Sequence, residues 1–379
     1  MLNVTVDAVI YQLQARGGIS RLYSELLPRL CDQEPKLHID LLSAKNLVQP
    51  LPRHAQISPH VIPGLSGARL PRPIRAAING MLRQQAIGIG TGRIWHSTYF
   101  TRPRFWKGAQ VVTIYDMIQE LYPDLFAGPE EEAFRALKRR CALDADIVIS
   151  ISDVTRQDVH RFYGIDPAKI VTIPLAYSDV FREQPDDGLP GDAPPLTSDK
   201  PFFLYVGRRS HNKNFAALAR AYSMWQGRRE VDLAVVGEPW SAEEQALFAS
   251  LGIVKNLRLI GSVGDLELSR LYRAASAYVY PSLYEGFGIP LLEAMSCGCP
   301  VVASRIPSTV EVAGDHPIYF EVDAPDSFVS ALEAAKSEGQ NTARTSEAKE
   351  YAQRYSWAAT AGQTLDVYRK LAASMETVR

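Results

Sequence analysis

Cysteine is scarce in this chain, and its four cysteines form no ligating or pairing pattern. Cys31 and Cys141 stand alone, and one glycine separates Cys297 from Cys299, which matches neither a zinc site nor a disulfide framework. Apolar runs are also too short to span a bilayer, and the first residues resemble a strand rather than a signal peptide. We therefore expect a reduced, cytoplasmic protein.

Acidic residues are missing from one long stretch. The 379-residue chain has a net charge of −1, yet residues 41–115 contain ten Lys or Arg and no Asp or Glu. Within this stretch, residues 70–83 predict an amphipathic helix that begins after Pro73. Such a surface suits anionic lipid headgroups, a nucleic-acid backbone or a phosphorylated acceptor. A basic face that is merely solvated is the alternative.

The remaining composition is that of an ordinary globular protein. Apolar residues make up 46% of the chain and charged residues 22%, and the length predicts two or three domains. Short apolar strands alternate with helical stretches, which predicts an α/β fold of parallel sheets covered by helices. The predicted strands are residues 4–10, 39–42, 94–96, 111–115, 147–150, 170–173, 202–206, 233–236, 257–260, 277–280 and 301–303.

A segment rich in Pro, Gly and Asp divides the chain at residues 182–200 and reads as a linker. We predict a first α/β domain over residues 1–181, a second over 201–355 and a C-terminal helical segment over 356–379. Ligands of open parallel sheets bind beyond the carboxyl ends of the strands. We therefore expect the functional residues in the loops that follow strands, facing a cleft between the domains.

Two carboxylates, Glu285 and Glu293, flank a glycine-rich turn between a predicted strand and a predicted helix. Gly286 and Gly288 let the backbone bend and let a ligand approach closely, and Pro290 suits the first helical turn. Free N–H groups at the helix start attract phosphates, and carboxylates accept hydrogen bonds from sugar hydroxyls. This pattern favours a phosphate-sugar ligand; the alternative is that Glu293 only caps its helix and Glu285 is solvated.

Two further loops have residues that suit an anion. Gly17 and Gly18 precede a helix and can expose backbone N–H groups. In the second half, Arg208, Arg209 and Lys213 follow a predicted strand. Arginine gives bidentate contacts and lysine a point charge, so this turn can clamp a diphosphate. For the Gly17–Gly18 loop, the alternative is a turn without a ligand. For the turn with Arg208, Arg209 and Lys213, it is a solvated basic turn.

The run from residue 280 to 303 resembles a known family. It reads Tyr-Pro-Ser-Leu-Tyr-Glu-Gly-Phe-Gly-Ile-Pro-Leu-Leu-Glu-Ala-Met-Ser-Cys-Gly-Cys-Pro-Val-Val-Ala. It is similar to the Glu–seven residues–Glu signature of the retaining GT-B glycosyltransferases of family four (group 1), which include bacterial mannosyltransferases of O-antigen and exopolysaccharide assembly. The resemblance covers nearly the whole chain. It implies an acceptor-binding and a donor-binding Rossmann-like domain, with the C-terminal helix crossing back to the first.

The resemblance also implies roles for single residues. Glu293 would bind the ribose hydroxyls, and Glu285 would hold the sugar and diphosphate. Glu285, Arg209 and Lys213 form the expected catalytic set, with Arg209 favoured over Arg208 by its spacing to Lys213. The expected donor-binding residues are Gly17, Gly18, Arg208, Arg209, Lys213, Gly261, Ser262, Val263, Glu285, Gly286, Phe287, Gly288, Ile289 and Glu293.

On the acceptor side the resemblance points to Tyr115, Asp116 and His96. Many relatives have His-Asp-Met or His-Asp-Leu where this chain has Tyr115-Asp116-Met117. A tyrosine is a poor general base at its ordinary pKa, so we name no base. Front-face transfer, in which the leaving phosphate oxygen helps to take the acceptor proton, tolerates this change. His96 is expected to be structural rather than catalytic.

We expect no cofactor beyond the nucleoside diphosphate sugar and no metal. Asp144-Ala-Asp146 matches Asp-x-Asp formally, but it lies between a helix and a strand and reads as a turn. The predicted function is metal-independent, retaining transfer of a hexose, mannose from GDP-mannose first, to a saccharide or lipid-linked acceptor in cell-surface polysaccharide or lipopolysaccharide biosynthesis. The alternative is a catalytically impaired nucleotide-sugar or polyanion-binding protein. We also expect residues 69–107 to contact the inner face of an anionic membrane, and no nucleic acid.

Overall fold

The computed structural model describes residues 2–15, 17–62, 81, 85, 87–88, 90–103, 105–182 and 200–377. The chain forms two compact units, one made of Met1–Leu175 with Ser356–Arg379 and the other of Ala176–Tyr355. The predicted basic helix, with Arg69, Arg72, Arg75 and Arg83, lies outside the described residues. So does nearly all of the predicted linker, and the predicted domain boundaries stay predictions.

In the first unit, the described residues form a seven-stranded parallel sheet. Its strands are β1 (Leu2–Asp7), β2 (Leu37–Ser43), β3 (Ile57–Val61), β4 (Ile94–Ser97), β5 (Ala109–Ile114), β6 (Ile147–Ser150) and β7 (Ile170–Thr172), in the order β3-β2-β1-β4-β5-β6-β7. The helices with described bounds are α1 (Ile10–Leu13), α2 (Gly18–Gln33), α3 (Ile118–Leu121), α4 (Pro129–Asp144) and α5 (Asp153–Tyr163). Because helices cover both faces, the central strands are buried, as β4 is throughout.

The last helix of the chain belongs to the first unit. This helix, Trp357–Thr377, packs against α2 and contacts β1, β4 and β5. Ala361, Leu365 and Tyr368 are buried along one side of it, at the spacing of a single helical face. The expected return of the C-terminal helix to the first domain is confirmed.

The second unit has a six-stranded parallel sheet among its described residues. Its strands are β8 (Phe202–Val206), β9 (Asp232–Val236), β10 (Leu257–Gly261), β11 (Ala277–Tyr280), β12 (Val301–Ser304) and β13 (Ile318–Phe320), in the order β10-β9-β8-β11-β12-β13. Its helices are α6 (Phe215–Met224), α7 (Ala242–Leu251), α8 (Asp265–Ala274), α9 (Ile289–Ser296), α10 (Pro307–Ala313), α11 (Pro325–Glu338) and α12 (Ala343–Ala352). Trp357–Thr377 is therefore α13. Phe203 and Trp225 stack at 5.1 Å in the core beneath β8.

The strand order reverses once in this second sheet. From β8 the chain runs outwards through β9 to β10, and it then returns to the other side of β8 as β11. The loops after β8 and β11 therefore leave the carboxyl edge in opposite directions, which opens a crevice at the switch point. The predicted functional loops of the second half begin at this edge.

Two of the four edge strands, β3 and β13, escaped the sequence analysis. β3 reads Ile-Ser-Pro-His-Val and is mostly exposed, so it lacks the apolar run of a central strand and tolerates Pro59 at the sheet edge. β13 has only three residues, too few for a periodic pattern. The predicted first strand also extended too far, because α1 begins at Ile10.

Within the described ranges, no helix has both the length and the apolar character needed to cross a bilayer.

Candidate active site

Two loops meet at the switch point of the second sheet. One follows β8 at residues 207–214 and the other follows β11 at residues 281–288. Leu283 N–H donates to the Asn212 carbonyl at 2.7 Å, and the Asn212 side chain donates to the Tyr284 carbonyl at 3.5 Å. These hydrogen bonds tie the loops together although Asn212 and Tyr284 are 72 positions apart in the sequence, with three strand–helix repeats between them.

The tied loops bring Lys213 and Glu285 into an ion pair. Lys213 Nζ lies 2.6 Å from Glu285 Oε1, and the two side chains are 29% and 14% exposed. Lys213 Nζ also lies 5.9 Å from the centre of the Tyr280 ring. Because both charged groups keep some solvent access, a ligand can reach the pair and compete for either partner.

Helix α9 starts directly after this pair. Gly288 precedes it with a φ of 123°, a backbone conformation that favours glycine. A Cβ at Gly288 would lie 2.8 Å from Leu291 Cδ1, so packing also excludes a side chain there. Pro290 occupies the first helical turn, and Gly286 and Phe287 are buried beneath it. Pro290 has no N–H group and Leu291 N–H donates to the Gly288 carbonyl at 3.0 Å, so the N–H group of Ile289 is the one at the start of α9 that suits an anionic ligand.

Glu293 lies one turn into α9, and its side chain is nearly enclosed. The residue is 4% exposed, and Tyr272 Oη donates to Glu293 Oε2 at 3.4 Å. Burial, followed by the charge of Glu293, raises the pKa of Tyr272 well above its ordinary value. Tyr272 therefore stays protonated and serves as a donor to the carboxylate.

The Arg209 side chain is held by hydrogen bonds and a ring contact within the second unit. Its Nε lies 2.5 Å from Glu244 Oε1 and its Nη2 lies 3.0 Å from Oε2, and Nη2 also donates to the Pro239 carbonyl at 2.9 Å. The guanidinium lies 4.6 Å above the Trp240 ring, and the side chain is 7% exposed. Glu244 in turn caps α7 through Ser241. Burial tends to raise the pKa of Glu244, but the hydrogen bonds from Arg209 and Ser241 prevail and lower it.

Arg208, by contrast, is exposed. Its carbonyl accepts a hydrogen bond from Tyr205 Oη at 2.6 Å, which fixes the backbone while the side chain faces solvent. The predicted preference for Arg209 over Arg208 as the donor contact stays a prediction. Glu244, which lies 35 residues further along, pairs with the Arg209 guanidinium only once the chain has folded.

Gly261, Ser262 and Val263 follow β10 at the same carboxyl edge. Gly261 has a φ of 72° and its carbonyl accepts from Gly237 N–H at 3.1 Å. The turn after β10 is therefore joined to the turn after β9. In the sheet, β9 lies next to β8, and β10 lies two positions from β8. This is where the sequence predicts nucleobase contact, which stays a prediction.

Gly17 and Gly18 lie in the first unit, where they start α2. Ser20 N–H donates to Gln14 Oε1 at 3.3 Å, and a Cβ at Gly17 would clash with that same Gln14 side chain. Close packing by the Gln14 side chain is thus one local reason why position 17 is a glycine. Their predicted contact with the donor stays a prediction.

His96 lies in the interior of the first unit and is 1% exposed. Its Nδ1 is 2.5 Å from Tyr368 Oη on α13, and its Nε2 is 2.9 Å from Thr113 Oγ1 and 3.3 Å from Tyr23 Oη. Burial lowers the pKa of His96 to about 3, so the ring is neutral near pH 7. The structure leaves this side chain no accessible surface for an acceptor.

Tyr115 joins the same buried network. Its Oη donates to the Thr98 carbonyl at 2.6 Å and to Tyr23 Oη at 3.1 Å. Burial raises its pKa well above the ordinary value, which rules the hydroxyl out as a base near neutral pH. Asp116, the next residue, is half-buried, and its Oδ1 accepts from Ile118 N–H at 3.1 Å. Of the three predicted acceptor-side residues, Asp116 alone has a side chain near the surface.

Asp7 is a buried acid that the sequence analysis missed. It ends β1, is 1% exposed, and accepts hydrogen bonds from Thr98 N–H at 3.2 Å, Thr98 Oγ1 at 2.5 Å and Thr101 Oγ1. It thereby ties the loop after β1 to the loop after β4, where the order of the first sheet reverses. The signal in the sequence that could have identified Asp7 is an aspartate at the carboxyl end of an apolar strand.

The Asp144-Ala-Asp146 segment has a structural explanation. Asp146 Oδ2 accepts from Gln110 N–H at 2.8 Å, and Asp144 pairs with Arg140 at 3.1 Å and with Arg102. Over the part of the chain that the structure describes, no group of three or more His, Cys, Asp and Glu is arranged to hold a metal ion.

Comparisons with known proteins match both halves of the chain. The model for "Glycosyltransferase Family 4" matches residues 16–178, and that for "Glycosyl transferases group 1" matches residues 192–354. The O-antigen chain mannosyltransferase B of Escherichia coli is 31% identical over 290 residues, which cover 73% of this chain and 74% of that protein. This chain is a family 4 (group 1) glycosyltransferase.

Other relatives extend the match over nearly the full length. D-inositol 3-phosphate glycosyltransferase 2 of Catenulispora acidiphila is 28% identical over 403 residues, 96% of this glycosyltransferase and 92% of the relative. The structure of Anabaena HepE in complex with UDP-glucose has a TM-score of 0.71 at 14% identity and covers 98% of this chain and 100% of that one. At this identity the likeness concerns the fold. The predicted family, its glycosyltransferase activity and the GT-B fold of two Rossmann-like units are confirmed.

The two adjacent arginines should differ in their effect on stability. Arg209→Ala leaves Glu244 without its cation, and we expect a loss of about 1–3 kcal/mol in the free energy of unfolding. Arg208→Ala, the matched control, should change it by less than about 0.5 kcal/mol because the side chain is exposed. Urea unfolding followed by circular dichroism measures both. Equal losses would show that the Glu244 pair does not hold the loop.

His96 should make the first unit sensitive to acid. Its pKa is about 3 when folded against 6.5 ordinarily, so protons favour the unfolded chain. The stabilisation is complete above about pH 6.5 and is lost as the pH falls towards 3, by at most about 1.4 kcal/mol per pH unit. His96→Gln should be less stable at pH 7 yet show a flatter profile between pH 6 and 4.

The control for this profile is His60→Gln, which removes an exposed histidine of the same unit. Its unfolding profile should follow that of the wild type. If His96→Gln retains the wild-type slope, His96 does not titrate on unfolding in this range.

Proposed function

We propose that this glycosyltransferase moves a hexose from a nucleoside diphosphate sugar to a saccharide or lipid-linked acceptor, with retention of the anomeric configuration and without a metal. Mannose from GDP-mannose is the proposed donor, and a cell-surface polysaccharide is the proposed product. The name of the E. coli relative, an O-antigen chain mannosyltransferase, supports this choice. The observation that carries the proposal is the Lys213–Glu285 pair at the switch point.

This pair suits a donor that combines phosphate with sugar. An ammonium that lies 2.6 Å from a carboxylate can exchange that partner for a phosphate. A diphosphate has more negative charge than one carboxylate, so it competes well for Lys213. The exchange releases Glu285 to accept hydrogen bonds from the sugar hydroxyls. Binding the donor thus converts an internal ion pair into one cation on the phosphates and one carboxylate on the sugar.

The charges that remain around the turn suit the leaving group. Lys213, the exposed Arg208 and the Ile289 N–H group at the start of α9 all favour the negative charge that develops on the departing diphosphate. These groups supply the electrostatic role that a divalent cation otherwise fills. Glu293, one turn into α9, would bind the ribose hydroxyls.

The proposed proton transfer requires no base from Tyr115 or His96. Tyr115 is buried with a raised pKa, and His96 is enclosed. In front-face transfer the bond from the sugar C1 to the phosphate oxygen breaks, and the acceptor oxygen bonds to C1 on the same face. The acceptor proton passes to the departing phosphate oxygen. No protein base is then needed.

We also place the enzyme in the cytoplasm, bound peripherally to the inner face of the membrane. Arg93 and Arg102 already pair with Asp40 and Asp144. The basic residues proposed to meet anionic headgroups are therefore Arg69, Arg72, Arg75 and Arg83.

Lys213 and Glu285 should have opposite effects on nucleotide affinity. Lys213→Ala should weaken the binding of GDP or UDP about tenfold, because a charged hydrogen-bond donor is lost. Glu285→Gln should strengthen it, because Lys213 no longer has to leave a carboxylate. The same variant should lower sugar transfer from GDP-mannose about a hundredfold. Calorimetry and release of nucleoside diphosphate measure the two effects.

The matched control is Glu321→Gln, since Glu321 pairs with Arg305 at 3.3 Å in the same unit and is exposed. It should change neither affinity nor transfer. Weaker nucleotide binding by Glu285→Gln would contradict the exchange of partners. A wild-type enzyme that binds donors from a panel of GDP, UDP, ADP and dTDP sugars without ever releasing nucleoside diphosphate would be a binding protein instead.

Membrane contact is tested by sedimentation with vesicles that contain anionic phospholipid. Replacing Arg69, Arg72, Arg75 and Arg83 with glutamine should reduce the bound fraction several-fold, since each basic side chain near the surface contributes about 1 kcal/mol. Neutral vesicles serve as the control. Equal binding by the variant and the wild type would remove this part of the proposal.

A further inference from the structure

Tyr280 lies directly beneath the Lys213–Glu285 pair and has no role so far. It is the last residue of β11 and is 3% exposed. Lys213 Nζ lies 5.9 Å from its ring, and a Cβ built on Gly288 would lie 3.5 Å from its Oη. The phenol therefore points at the turn that joins Glu285 to α9.

The hydroxyl of Tyr280 is buried and makes no hydrogen bond of regular geometry among the described residues, although Ser282 and Glu285 lie close enough for hydrogen bonding to influence its pKa. In the same unit, Tyr222 donates to a backbone carbonyl at 2.6 Å, whereas the buried Tyr278 also lacks a partner. A buried hydroxyl that makes no hydrogen bond destabilises the fold, and phenylalanine would have the same shape without that penalty. An unused donor next to the site calls for a partner that arrives later.

The electrostatics of Tyr280 suit donation to an anion. Burial raises its pKa well above the ordinary value, and the charge of Glu285 adds to the effect. The hydroxyl thus stays protonated beside a carboxylate. While Lys213 neutralises Glu285, the carboxylate does not need the Tyr280 hydroxyl as a hydrogen-bond donor.

Glu285 needs a hydrogen-bond donor when Lys213 moves to a diphosphate. Glu285 is then a carboxylate of 14% side-chain exposure that has lost its cation, and such a group requires a donor. We propose that Tyr280 is a positioning residue, whose hydroxyl donates to Glu285 once Lys213 has left and holds the carboxylate in place for the sugar. This inference rests on the proposed function, because it assumes that a nucleoside diphosphate displaces Lys213.

A double-mutant cycle between Tyr280 and Glu285 tests the inference, with GDP and UDP as probes in calorimetry. Tyr280→Phe should weaken nucleotide binding about tenfold, the effect of losing a hydrogen bond to a charged group. In the Glu285→Gln background, the same substitution should change affinity less than twofold, because no carboxylate is left to compensate. A merely structural role for Tyr280 would give equal losses in both backgrounds.

The free protein supplies a second readout with the opposite sign. Because Tyr280→Phe removes an unpaired buried hydroxyl, it should raise the unfolding midpoint of the free protein by about 2–4 °C. Tyr278→Phe is the matched control, since Tyr278 lies two residues earlier on β11, is fully buried and also has an unpaired hydroxyl. It should raise the midpoint similarly and leave nucleotide affinity within twofold of wild type.

The possible results separate this inference from the proposed function. If wild type binds GDP or UDP but Tyr280→Phe binds it equally well, or loses as much affinity in the Glu285→Gln background, the inference is overturned and the proposed function stands. If wild type binds neither nucleotide, both are overturned. An equal loss in Tyr278→Phe would also overturn it.

Discussion

The ion pair between Lys213 and Glu285 is the interaction on which the arrangement of the second unit's site depends. It joins the loop after β8 to the loop after β11, and the backbone hydrogen bond between Leu283 and Asn212 reinforces the connection. The pair lies at the crevice where the strand order reverses, directly before the turn from which α9 begins, and Glu293 lies one turn into that helix.

The two units use the same device with different chemistry. In the second unit the loops at the reversal are joined by an accessible pair of opposite charges, which a ligand can separate. In the first unit the corresponding loops are joined by the buried Asp7, which accepts hydrogen bonds from the hydroxyls of Thr98 and Thr101. A ligand can exchange the ion pair of the second unit, whereas the hydrogen bonds around Asp7 in the first unit are permanent. The exchangeable pair lies in the unit to which we assign the nucleotide sugar.

The local arrangement of the acidic residues follows from the sequence more directly than the surroundings of the basic ones. Glu285, Gly288 and Glu293 lie within one short segment, so their spacing along the chain determines their place around the turn. Arg208 and Arg209 are neighbours with the same chemistry, and only a distant partner distinguishes them. Trp240 lies in the loop after β9 and Glu244 in the first turn of α7, and no local pattern reveals that they enclose Arg209. The edge strands β3 and β13 escaped for a related reason, because exposed or very short strands have no apolar period.

By itself, the sequence determined the α/β class, the central strands, the family and the glycine-rich turn with its two carboxylates, because each depends on residues that are close along the chain. The tertiary structure decided which charges are paired, which are enclosed and which stay available. It placed His96 and Tyr115 inside a hydrogen-bonded core, fixed Arg209 against Glu244, and left the Tyr280 hydroxyl unpaired beneath Glu285. These outcomes depend on burial and on contacts between distant segments, and neither can be read from spacing.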